Sequence, residues 1–164
     1  MSTRRLSYES GHKPKALVIV DDTPECDRAV YYASRWAARV NGGVVMLRVI
    51  ETEDRNQQWL GVADIMRAEA QEEAETALDR AAGRANGTAG ITPERVIREG
   101  KSTEQILDVI DKDLDISMLV LAAAPGAEGA GPIVSSIADL AGSFPVPVVI
   151  VPGVLTDEDV DALS

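Results

Sequence analysis

Four short, almost unbroken apolar runs constrain this chain more than any other feature: Ala16–Val20 (ALVIV), Val44–Ile50 (VVMLRVI), Met118–Ala122 (MLVLA) and Val146–Val151 (VPVVIV). A run of this length without polar alternation is a strand buried on both faces. Both faces therefore need a covering layer. With aromatic residues at only 4%, that layer and the strands themselves must be built from Val, Ile, Leu and Ala. The intervening segments supply it. Thr23 as N-cap and Pro24 at the first helical position open a helix with Ala29, Ala33, Trp36, Ala37 and Val40 at helical spacing. Asn41-Gly42-Gly43 closes it. After a polar, irregular stretch at 51–61, a long helix runs to about Asn86, its buried stripe marked by Val62, Ile65, Met66, Ala70, Ala74, Ala77, Leu78 and Ala81. Gly87–Gly90 ends it. Glu94–Arg98 reads as a more polar strand suited to a sheet edge. A further helix starts at Ser102, where Ser102 and Gln105 have the spacing of a capping box, and runs to about Asp111. Pro132–Leu140 and Leu155–Leu163 complete the helices. Strict strand–helix alternation predicts an α/β fold: an open, mainly parallel sheet with helices on both faces.

A chain of 164 residues fits one domain over residues 15–153, with a mobile arm at 1–14 that holds the single histidine, His12, and a short tail or helix at 154–164. The formal charge of −11 disfavours nucleic acid, because phosphate neutralisation is the main driving term of such binding. No apolar run of signal-peptide length follows Arg4 and Arg5, and no stretch approaches the roughly 20 apolar residues of a membrane span. The expected location is the cytoplasm. The single cysteine, Cys26, has no partner for a disulfide within the chain and reads as a packed thiol.

In open parallel sheets, ligands bind outside the carboxyl ends of the strands, where strand order reverses. Two loops qualify here, Asp21–Pro24 and Ala122–Gly131. Asp21-Asp22 matches the acidic pair with which response-regulator receiver domains hold magnesium. The acceptor Asp, hydroxyl residue and Lys of such a domain are replaced by Glu99-Gly100, Ala122-Ala123 and Pro152, which excludes that reading. Gly100-Lys101-Ser102-Thr103 has the tail of a phosphate-binding P-loop, but Arg95 stands where the loop needs its first Gly. Gly126–Gly131 (GAEGAG) either presents backbone N–H groups to a phosphate or is a plain surface connection of small residues. Ser135 and Ser136, early in the next helix, add hydroxyl donors. No catalytic triad, histidine-ligated metal site or redox pair can be assembled, so the chain is not expected to be an enzyme.

KALVIVDDTPECDRAVYYASRWAARVNGGVVMLRVIE resembles the first half of a universal stress protein domain, and VIREGKSTEQILDVI, DISMLVLAAAP and PVPVVIVP resemble its closing half. The resemblance covers about residues 15–153 and implies a Rossmann-like sheet in the order 3-2-1-4-5, with a switch point between strands one and four. One branch of the family binds ATP there through Gly-x-x-Gly, nine residues, then Gly-Ser or Gly-Thr. That motif falls on Ala122-x-x-Pro125 and Ser135-Ser136, so the spacing is kept and the glycines are lost. In a shifted frame, Gly126-x-x-Gly129 restores two glycines but then meets Asp139. The family's Asp after strand one maps to Asp21, its Gly-Ser to Asp22-Thr23, and its adenine neighbour on strand two to about Val49. The implied ligand set is Asp21, Thr23, Val49, Ala122, Gly126, Gly129, Ser135 and Ser136, for ATP (with Mg) or AMP. Three functions stay open: a dimeric stress-response or signalling module with weak or no ATP binding, an adenine-nucleotide sensor, and, least favoured for want of a placed general base or lysine, a slow ATP hydrolase. Family dimers commonly pair their last strands, which implies a homodimer through Val146–Val151, with Pro147 leaving one ladder position unpaired.

Overall fold

In the computed structural model, which describes residues 4–51, 60–126 and 128–164, the central strand β1 (Lys15–Ile19) lies between β2 (Gly43–Ile50) and β4 (Ile116–Ala123). With β3 (Glu94–Glu99) and β5 (Val148–Pro152) on the outside, the order is β3-β2-β1-β4-β5, and every pairing is parallel. The expected doubly wound α/β sheet is what forms. Side chains of β1 alternate between two cores. Ala16, Val18 and Val20 face one side with Met46 and Val120; Leu17 faces the other with Val45, Leu47, Leu119 and Leu121.

The first face is covered by α1 (Cys26–Val40), α2 (Leu60–Ala89) and α5 (Asp157–Leu163), the second by α3 (Ser102–Lys112) and α4 (Pro132–Ala138). Alanines make the first cover possible. Ala29, Ala33 and Ala37 are fully buried on α1, opposite Ala74, Ala77, Ala81, Ala82 and Ala85 of α2. Small side chains let two helices and a sheet approach closely without voids. Asn41 in the left-handed conformation (φ 56°) stops α1, and Gly42 follows because a Cβ there would stand 2.5 Å from the Pro14 carbonyl.

Several expectations are corrected. The first turn of α1 begins at Cys26 and not at Pro24, because Thr23 turns its hydroxyl back to Asp21 and does not cap the helix. The capping box at Ser102 does not form either; Lys101 is the N-cap residue and the Ser102 hydroxyl donates to Glu51 instead. Ile65 and Met66, placed on the buried stripe of α2, are each 62% exposed. A 30-residue helix is about 45 Å long, roughly twice the length of the strands it covers, so it outruns the sheet, and residues 64–69 near its start are all exposed. The side chain of Val62, most of the 51–61 stretch and residues 1–3 lie outside the described residues.

Residues 4–14, expected as a mobile arm, are tied to the α3–β4 corner. Leu6 N–H donates to Leu114 O, the buried Ser7 hydroxyl to Asp115 O at 2.8 Å, and Arg5 to the carbonyl of Ile110 at 2.7 Å. His12 Nδ1 lies 2.7 Å from Asp115 Oδ1. At the other terminus, α5 carries a true capping box at Thr156 and Asp159, and buries Val160. Arg28 and Arg84 both reach Asp27 and Asp157, clasping α1, α2 and α5 together. The Arg84 guanidinium also lies 4.7 Å from the centre of the Tyr31 ring.

Candidate functional site

The sheet has a notch, and strand length makes it. β1 ends at Ile19, whose partner is Leu47, yet β2 runs on to Ile50; on the other side Val18 pairs Val120, and β4 runs on to Ala123. The neighbours of β1 therefore overhang it at the carboxyl end, at the point where strand order reverses. A cleft of about 430 Å³ opens there. Its apolar walls are Ile19 and Val20 from the end of β1, Val49 from β2, and Pro132 and Ile133 from the start of α4. Its polar groups are Asp21 and Asp22, Arg48, Glu51, Glu73 of α2, Ser102 of α3 and Ser136 of α4.

Of the residues expected from the sequence, the fold brings Asp21, Val49 and Ser136 to this cleft. Thr23, Ala122, Gly126, Gly129 and Ser135 fall outside its lining. Thr23 is held by Asp21, whose Oδ1 accepts from both the Thr23 N–H at 3.0 Å and the Thr23 hydroxyl. Ala122 points to the opposite face of the sheet, against the α1 side of the core. Ser135 and Ser136 donate to Gly131 O and Pro132 O, one turn back along their own helix, at 3.0 and 2.9 Å. The Gly126–Gly131 loop is tied at its base by Ala124 N–H to Ala130 O, so that N–H is already used. Gly129 and Gly131 adopt φ of 104° and 102°, conformations that favour glycine for backbone reasons alone.

Four cleft residues were missed or undervalued in the sequence. Glu73 and Glu51 carry no local motif that marks them, and Ser102, which the sequence marks only as a helix cap and the tail of an incomplete P-loop, arrives from α3. Arg48 carried one legible sign, a cation inside an otherwise apolar strand. It sits opposite Val20, one step past the last β1 pairing, and turns onto Asp22. Nη1 and Nη2 donate to Oδ1 and Oδ2 at 3.0 and 2.8 Å, a bidentate fork. Only 12% of the Arg48 side chain is exposed, against 74% for Asp22. The hydrogen bonds from Arg48 hold the Asp22 carboxyl below the usual carboxylate range, and Asp22 in turn raises the guanidinium further. Asp21 and Glu73 add to the negative field around that guanidinium.

A triphosphate fits these walls poorly. Among the described residues one guanidinium faces four carboxylates, the expected glycines are replaced at Ala122 and Pro125, and the nearby serine hydroxyls bond within their helix. Magnesium finds no assembled donor set: among the described residues no three His, Cys, Asp or Glu side chains converge, and Asp21 and Asp22 face different partners. Cys26, packed near the Ile19 carbonyl, has its thiol pushed up to about 11 by burial, which makes it a poor nucleophile. Among the described residues, no helix is long and apolar enough to cross a membrane.

A five-stranded parallel sheet in this order, with a cleft at its switch point, defines a doubly wound α/β domain. Residues 14–152 match the family model described as the universal stress protein family, and the chain belongs to that family. Among solved structures it is similar to the universal stress protein UspA from Lactobacillus plantarum, with TM-score 0.72 and 18% identity, covering 84% of this chain and 97% of the other. It is also similar to a universal stress protein in complex with cAMP (TM-score 0.61, 17% identity, 85% and 97% covered). A third is the universal stress protein from Archaeoglobus fulgidus in complex with dAMP (TM-score 0.59, 19% identity, 84% and 95% covered). Among curated proteins nothing matches.

Proposed function

We propose that this chain is a non-catalytic, ligand-responsive module of the stress response, which holds an adenine nucleotide in the switch-point cleft and binds ATP weakly or not at all. The observation that carries this reading is the cleft itself: apolar walls from Ile19, Val20, Val49 and Ile133 suited to a base, with polar groups at the mouth. The cAMP and dAMP complexes of two structural neighbours support the choice of ligand class. The raised Cys26 thiol, a poor nucleophile, and the lack of a converging metal-donor set among the described residues support binding without turnover. The module acts as a homodimer through the outer edge of β5, which is paired only with β4 among the described residues. Pro147 precedes β5 and accepts a hydrogen bond from Leu119 N–H through its carbonyl, so it takes no ladder position from a partner strand.

Isothermal titration calorimetry with AMP and Mg-ATP tests the reading, alongside mass spectrometry of the purified protein for retained nucleotide. AMP binding that is lost in Ser136→Asp, with Mg-ATP weaker than AMP, is the expected outcome. No binding of either nucleotide at millimolar concentration would refute it and leave a module that works through protein contacts alone.

A further inference from the structure

The geometry points to Arg48 as the group that recognises an anion in this cleft, with Asp22 as an intramolecular competitor that occupies it until a ligand with a single phosphate takes its place. The inference rests on the reading of the cleft as an adenine-nucleotide site and names the residue and ligand class within it.

Among the described residues, Arg48 is the only cation in the cleft wall, beside Asp21, Asp22, Glu51 and Glu73. Its guanidinium is largely shielded at the end of β2, and its two terminal nitrogens present the parallel fork that matches a carboxylate or a phosphate equally well. The fork is at present filled by Asp22, the partner that is mostly in water. An exposed carboxylate is easily resolvated when displaced, so exchange costs little on its side. The guanidinium, largely shielded from water, needs an anion in that place at all times. A nucleotide phosphate seated on Arg48 would return Asp22 to solvent and keep the cation paired.

Charge sets how many phosphates the site accepts. With Asp22 displaced, one guanidinium balances one anionic group. Among the described residues lining the cleft, a second or third phosphate would meet Asp21, Glu51 and Glu73 with no further cation and no glycine-lined N–H cradle to receive it. The cleft therefore favours a nucleoside bearing one phosphate over its di- and triphosphates.

The test uses the full-length protein, Asp22→Asn and Arg48→Met, each titrated with adenosine, AMP and Mg-ATP by calorimetry, with circular dichroism as a folding control. Asp22→Asn removes the competing charge at a mostly exposed position while its amide oxygen can still accept from Arg48, and circular dichroism reports whether the fold is kept. It should tighten AMP about tenfold while leaving adenosine unchanged. Arg48→Met should reduce AMP affinity to that of adenosine. If adenosine binds all three proteins but Asp22→Asn leaves AMP unchanged or weaker, the competitor role is overturned and the nucleotide reading stands. If Asp22→Asn tightens Mg-ATP more than AMP, the single-phosphate preference is overturned. If none of the three ligands binds any of the proteins, both the inference and the reading beneath it fail.

Discussion

Gly153, just past β5, allows a sharp test of how the strand ends around the cleft are held. An alanine Cβ at this position would lie 2.5 Å from the Ala123 carbonyl oxygen and 2.9 Å from Pro125 Cδ. Ordinary van der Waals contact begins near 3.4 Å, so backbone must move by roughly 1 Å, and neither neighbour is a flexible side chain. Gly153 N–H also donates to the same Ala123 oxygen at 2.9 Å, and the displacement stretches that bond. Overpacking of about 1–3 kcal/mol and a hydrogen bond worth about 1 kcal/mol give roughly 2–4 kcal/mol of destabilisation for Gly153→Ala. Two other glycines separate this cause from its rivals. Gly83 lies inside α2, where an added methyl would meet nothing within 4 Å, so Gly83→Ala should stabilise by about 1 kcal/mol through helix propensity. Gly129 is equally unobstructed but has φ of 104°, so Gly129→Ala should lose about 1–2 kcal/mol to backbone strain alone. Urea unfolding followed by circular dichroism gives all three from shifts in midpoint at constant m. Gly153→Ala within about 0.5 kcal/mol of the parent, or Gly83→Ala as damaging as Gly153→Ala, would refute the close-approach argument.

Other parts of the molecule yield four more predictions. Leu119→Ala empties a fully buried position on β4 and should destabilise by about 2–5 kcal/mol, read from the same urea curves. Asp157 is held below the ordinary carboxylate range by hydrogen bonds from Arg28 and then Arg84, so its contribution is complete above that range and is lost as pH falls through its lowered value. Asp157→Asn should therefore lower stability slightly at pH 7, by no more than about 1 kcal/mol for a half-exposed pair, and match the parent in strong acid; a gap that widens on acidification would contradict this. Cys26, with its thiol raised to about 11 by burial, should react with iodoacetamide at pH 8 roughly a hundredfold more slowly than an exposed cysteine. Ile150, 44% exposed on β5, bears on the proposed dimer: Ile150→Glu should give a folded monomer by light scattering where the parent is dimeric, and a parent that is itself monomeric at micromolar concentration would remove that proposal.

Period and composition alone determined the architecture. Unbroken apolar strands demand cover on two faces, alanine-rich helices supply it, and strict alternation makes the sheet parallel; ALVIV, VVMLRVI and MLVLA each became a strand within a residue or two of its expected bounds. Alternation also pointed to the loop after strand one as a cleft wall, while the family resemblance supplied the strand order that puts the switch point between strands one and four. Which side chains line that cleft was decided by the tertiary structure. Thr23 looks like a cap until Asp21 claims its hydroxyl, and Ser102 looks like a cap until Glu51 comes within 2.7 Å. Ile65 and Met66 fit a buried stripe, yet α2 outruns the sheet that would bury them. Arg48 shows the difference most plainly. Its oddness inside a strand is visible in one dimension, but its pairing with Asp22, 26 positions away, exists only because parallel register sets Arg48 one step past the end of β1. Local spacing records the propensities of neighbours along the chain, whereas a binding site is made by residues that only the fold makes neighbours.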